Sequence, residues 1–113
     1  MADTVARWRE QWHSDQEVGP VAQRMIFEND AVRVWEIVLE PGEELAVHTH
    51  ELDYLVVTVE SSDMEAREHT GQLRQISPAP GAVQWTAVGE GQTHSLRNVG
   101  RARYQNRLIE LKR

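Results

Sequence analysis

Apolar positions along the chain follow two different periods. Val5, Trp8 and Trp12 stand at i, i+3 and i+7, one face of a helix. The pattern predicts a short helix from Thr4 to His13, capped by Asp3 or Thr4, with Arg7 and Arg9 facing water. Ser14 to Gly19 is polar, and Gly19-Pro20 breaks any continuation. After about Gln23 the helical period vanishes. Short β-rich runs replace it: Arg24–Phe27, Val32–Leu39, Leu45–His50, Tyr54–Val59, Met64–Glu68, Leu73–Ile76, Ala82–Thr86, Thr93–Val99 and Arg103–Leu111. Between them lie Glu28-Asn29-Asp30, Pro41-Gly42, Ser61-Ser62-Asp63, Thr70-Gly71 (a hairpin tip) and Pro78 to Gly81. Short strands at this spacing predict an antiparallel sandwich or barrel over 24–113, preceded by a helix and connector over 1–23.

Length and composition narrow this picture. A chain of 113 residues is one domain in size, and such a chain buries about 65% of the surface its unfolded form exposes. With no Cys, disulfide scaffolds, zinc-thiolate sites, iron–sulfur clusters and thiol nucleophiles are all excluded. The net charge of −6, with 12 basic residues against 18 acidic, argues against nucleic acid as a partner. No apolar run approaches the roughly 18 residues of a membrane span. Met1 to Glu10 has no apolar core of the kind a signal peptide needs, so the expected location is the cytoplasm.

The candidate chemistry lies in the histidines. His48 and His50 are two apart, and in a strand such positions share a face, so both imidazoles aim at one point. They close the run Pro41-Gly42-Glu43-Glu44-Leu45-Ala46-Val47-His48-Thr49-His50. His94 lies in Gly91-Gln92-Thr93-His94-Ser95-Leu96-Arg97-Asn98. The first run resembles the first motif of the cupin superfamily, a Gly, five residues, then His-x-His. The second resembles the close of the second cupin motif, a Gly, two residues, His, three residues, Asn. Its upstream part survives only as Pro80-Gly81 with a longer gap. The resemblance covers about Arg24 to Leu111. It implies an all-β fold, the double-stranded β-helix or jelly-roll barrel, with one divalent metal held by His48, His50 and His94.

One departure from the motif matters. The usual Glu four residues after the second His is Tyr54 here. Glu51 and Asp53 have the opposite strand parity to His50, so an unbroken strand aims them away. The resemblance therefore implies a three-His site. Three neutral imidazoles leave the charge of a divalent ion uncompensated and positions open for water, dioxygen or a chelating anion. Iron(II) is the favoured metal by resemblance to cupin dioxygenases, with zinc, nickel or manganese as alternatives.

Other residues carry weaker signals. Tyr54 either fills the barrel or contacts substrate, and its parity with His48 and His50 favours an inward ring. Trp35 and Trp85 read as core packing, Gln84 and Arg97 as solvated positions, and Asn98 as a loop-bonding structural residue. His69 reads as exposed beside the hairpin tip, and His13 as a helix-terminal residue. Glu43, Glu44, Glu51 and Asp53 read as surface charge, the alternative being an acidic mouth to the site. The expected function is that of a metal-dependent, dioxygenase-like oxidoreductase acting on a small chelating organic acid or diketone. The alternatives are a metal-dependent isomerase or lyase, a non-catalytic sensor or accessory protein binding a small ligand, and a barrel with an empty site. A homodimer is expected, with a small-molecule ligand and neither nucleic acid nor membrane as partner. Metal affinity is expected to fall below about pH 6.5, where free imidazole takes up a proton.

Overall fold

The computed structural model describes residues 24–68, 70–89 and 92–112. Its turns fall where glycine and proline stand. At Glu40-Pro41-Gly42-Glu43 the Glu43 amide donates to Glu40 O at 2.9 Å. Pro41 presets the first central residue, and Gly42 at φ 86° takes the second, as a type II turn requires. Glu43 Oε1 accepts the Glu40 amide at 2.7 Å, which ties the turn from its other side. Gly71 at φ 90° turns the predicted hairpin tip.

Among the described residues nine strands result: β1 Arg24–Glu28, β2 Val32–Leu39, β3 Glu44–His50, β4 Tyr54–Glu60, β5 Met64–Glu68, β6 Leu73–Ile76, β7 Val83–Thr86, β8 Gln92–Asn98 and β9 Tyr104–Leu111. They form a five-stranded sheet, β1-β2-β9-β4-β7, and a four-stranded sheet, β3-β8-β5-β6. Every pairing is antiparallel. The predicted helix with Val5, Trp8 and Trp12, the connector after it, His13 and His69 lie outside the described residues.

The core lies between the sheets. Ile37, Leu39, Leu45, Tyr54, Met64, Val88, Tyr104 and Leu108 are buried together, with Trp35, Val56, Ile76 and Leu96 packed against them. Alternation is clearest on β9, where Tyr104, Asn106, Leu108 and Glu110 are buried while the residues between them are partly exposed. Trp35 meets the expectation of core packing and donates its indole N–H to Glu110 Oε1 at 2.6 Å. Trp85 does not. On β7 the inward positions belong to Gln84 and Thr86, so Trp85 between them faces out and is 53% exposed. It stands in register with Leu55, Ile109, Val34 and Phe27 in a row across the outside of the five-stranded sheet.

Strand β3 breaks simple parity. Leu45 pairs with Leu96 and His48 with His94, so three steps on β3 match two on β8. This bulge at Ala46-Val47 lets Leu45 and His48, of opposite parity, both face inward. Without it, the register that buries Leu45 would turn His48 and His50 outward.

Asn98 fastens the end of β8, as expected of a structural residue. It is fully buried. Its Nδ2 donates to Leu39 O and Ala102 O, both at 2.8 Å. Its Oδ1 accepts from Ser62 Oγ at 2.9 Å and from the Gly100 amide at 3.0 Å. Four bonds from one side chain join the end of β2 to the β4–β5 and β8–β9 loops, and deleting it strands several polar groups at once. Asn98→Ala should lower stability by about 2–4 kcal/mol in urea titrations. A loss within about 0.5 kcal/mol would show that the loops hold without it.

Candidate metal centre

The three predicted histidines meet at one point. His48 and His50 come from β3 and His94 from the neighbouring β8, and their ligand nitrogens lie within 4.8 Å of one another. His48 and His94 are direct cross-strand partners. The rings pack edge to face, with centroids 4.7 Å apart for His48 with either neighbour and 4.9 Å for His50 with His94. His48 and His50 are each 1% exposed, and His94 is half-buried.

Their hydrogen bonds define which atoms are available. His48 Nδ1 lies 2.7 Å from Ala46 O. A carbonyl only accepts, so Nδ1 carries the proton and the Nε2 lone pair is free to ligate. The carbonyl comes from the bulge, so the feature that turns His48 inward also fixes its tautomer. His50 Nε2 and His94 Nε2 face each other at 3.0 Å, a spacing that suits one shared proton or one cation beside both. A tetrahedral ion with bonds of about 2.0–2.1 Å sets its nitrogens about 3.4 Å apart. The separations in the triad bracket that value, so the donor set fits a divalent metal.

The electrostatics agree. All three imidazoles are held down from 6.5 to about 3, first by burial and then by a neighbouring imidazole; for His94 the Arg74 guanidinium adds to it. They are therefore neutral across the physiological range, the form that binds metal. This shifts the expected loss of metal affinity below pH 6.5, because the folded site has no proton to release until far lower pH.

Tyr54 faces inward on β4, in the opposite sheet. Its ring stacks on His50, with centroids 4.4 Å apart and planes at 30°. Its hydroxyl donates to Gln92 Oε1 at 2.8 Å. Burial pushes its proton affinity above the usual phenol value, so it stays protonated. Gln92 was not singled out by the sequence reading, although its parity with His94 and its place in the second motif were signals for it.

The triad opens onto a cavity of about 160 Å³. Ile37, Leu45, Val56, Leu96 and Leu108 form its apolar walls, and Gln84, Thr86, Gln92, Asn106 and Arg74 its polar ones. Gln84 thus lines the cavity and is not merely a solvated position. Arg97 lies on the outside, where its Nε is 3.7 Å from Glu44 Oε1. Asp53 Oδ1 accepts the Val88 amide at 3.0 Å, and Glu51 is exposed. None of the four acidic residues near the motif lines the cavity. Two residues with no motif do matter here. Glu68 on β5 pairs with His94, extending the row His48–His94 by one strand, and Arg74 on β6 pairs with Ala66.

The chain superposes on a cupin domain from Bordetella pertussis Tohama I with a TM-score of 0.72, over 87% of this chain and 98% of that one, at 23% identity. The fold is that of the cupins. An RmlC-like cupin from Methanocaldococcus jannaschii gives a TM-score of 0.61 at 11% identity, over 83% of this chain and 94% of that one. A predicted oxalate decarboxylase from Thermotoga maritima gives 0.52 at 23% identity, over 73% of this chain and 68% of that one. No family model and no curated protein matches the sequence. The cupin barrel, not close kinship, is what these proteins share with the chain.

Buried imidazoles leave a mark on stability. The unfolded chain takes up protons at these positions near pH 6.5, while the folded site stays neutral to about 3. Stability should therefore be flat above that range and fall as pH drops below it. Urea titrations of chelator-stripped protein between pH 6.5 and 5, above the range where Glu28 and Glu36 titrate, should show this fall, and His50→Leu should make it shallower by removing one of the three groups. No pH dependence in the parent chain would contradict burial of the triad.

Proposed function

We propose that the chain is a metal-dependent cupin enzyme, a mononuclear iron(II) oxidoreductase of the dioxygenase type acting on a small chelating organic acid or diketone. The observation that carries this reading is the convergence of three neutral imidazoles, with no carboxylate among them, on a cavity large enough for a small molecule. When bound, a divalent iron supplies Lewis acidity and a site for dioxygen beside a chelated substrate. His48, His50 and His94 would hold it.

The remaining residues do the rest of the work. Tyr54 keeps the His50 ring in its plane through the stack, and Gln92 fixes the direction of the Tyr54 hydroxyl. That hydroxyl is a neutral group on the wall; with its own proton on Gln92 Oε1 it can accept a bond from a substrate O–H without adding charge. Leu45, Leu96 and Leu108 give the cavity apolar walls, against which a polar interaction is less screened than in bulk water. The T. maritima neighbour described as a predicted oxalate decarboxylase supports placing small-acid chemistry on this barrel.

The test is oxygen uptake by the iron(II)-reconstituted chain with a panel of small 2-oxo acids, 2-hydroxy acids and 1,3-diketones. Substrate-dependent uptake is expected, lost in His94→Ala and reduced about tenfold or more in Tyr54→Phe. Substrate loss without oxygen uptake would replace the oxygenase with an isomerase or lyase. Binding without turnover of any compound would replace it with a ligand-binding protein.

A further inference from the structure

Arg74 is the one lysine or arginine that lines the cavity among the described residues. It projects from the edge strand β6 opposite Ala66, whose small side chain leaves room above it. Its side chain is 51% exposed, which sets the guanidinium at the mouth and not in the core. It is nonetheless near enough to act on the proton affinities of His94 and Tyr54.

The guanidinium already holds a carboxylate. Arg74 Nε and Nη2 reach the same oxygen, Glu68 Oε1, at 3.2 and 3.1 Å. Both bonds spend one edge of the fork and leave Nη1 without a partner among the described residues. Glu68 is itself the cross-strand partner of His94 and shares a pleat face with the buried Met64 and Ala66. Glu68 and Arg74 therefore form a charged pair in the row next to the metal ligands, with donor capacity to spare.

We propose that Arg74 is the anion anchor of this cavity, binding the carboxylate of a small 2-oxo or 2-hydroxy acid whose other oxygens face His48, His50 and His94. This rests on the metal-centre reading of the three histidines and narrows its substrate from acid or diketone to acid. A carboxylate gains charge-assisted bonds from the free guanidinium edge, whereas the methyl end of a simple diketone gains nothing there. The cavity volume of about 160 Å³ sets the size. A site of about 150 Å³ accommodates a six-carbon ring, so the ligand has about six non-hydrogen atoms, the size of a three-carbon acid. Glu68 is the internal competitor that the substrate carboxylate displaces or joins.

Isothermal titration of the zinc-loaded full chain with pyruvate and with acetohydroxamate, a chelator without a carboxylate, tests this. Arg74→Gln should weaken pyruvate about tenfold and change acetohydroxamate less than about twofold, with zinc content and melting temperature retained. Arg74→Lys should fall between the two, keeping the charge without the fork. Glu68→Gln should tighten pyruvate by freeing the guanidinium. Unchanged pyruvate binding in Arg74→Gln, or equal weakening of both probes, overturns the anchor while leaving the metal centre intact. A parent chain that binds zinc and acetohydroxamate but not pyruvate overturns it likewise. A parent chain that takes up no zinc ends both readings, and its zinc content tells that case apart.

Discussion

Three imidazoles packed within 4.8 Å of one another inside a barrel can be held there only if they carry no charge. Protonating any one would place a cation in a buried site beside two further rings, and burial together with the neighbouring imidazole drives their proton affinity down to about 3. The fold therefore maintains a cluster of free nitrogen lone pairs pointing at a common centre. Such a cluster is costly for an apoprotein, since lone pairs repel and buried ring nitrogens lack partners; the Nδ1 atoms of His50 and His94 have none among the described residues. A divalent ion would turn the same arrangement from a liability into a ligand set.

Everything that positions the cluster serves this constraint. The bulge in β3 reverses the parity of the strand, so Leu45 and His48 both enter the barrel, and it supplies the carbonyl that fixes the His48 tautomer. Strand β4 brings Tyr54 across from the other sheet to stack on His50. At the far end of β8, Asn98 ties the end of β2 to two loops, so the strand that carries His94 is anchored beyond the site. The triad sits between a backbone irregularity on one strand and a polar clamp on the next.

Much of this was legible in the sequence, for physical reasons. Glycine and proline mark the turns so clearly that each of the nine strands was placed within one residue of its observed ends. The spacing of His48, His50 and His94 could be read because strand parity brings two of them to one face and the second run places the third on the neighbouring strand. What was hidden depends on pairing. Trp85 looked like core because large aromatics usually are, but the pleat of β7 gives its inward places to Gln84 and Thr86. The bulge at Ala46-Val47 carries no turn residue to announce it. Glu68 and Arg74 are six apart on two strands of a hairpin, and only the registers β5–β8 and β5–β6 bring them beside His94 and the cavity.

The triad has a purpose only if it takes up a metal. Elemental analysis of the full chain, prepared without a histidine tag and reconstituted with iron(II) or zinc, measures it directly. About one ion per chain is predicted, lost in each of His48→Ala, His50→Ala and His94→Ala and retained in Tyr54→Phe. A chain that remains folded yet retains no divalent ion under any of these conditions would contradict it.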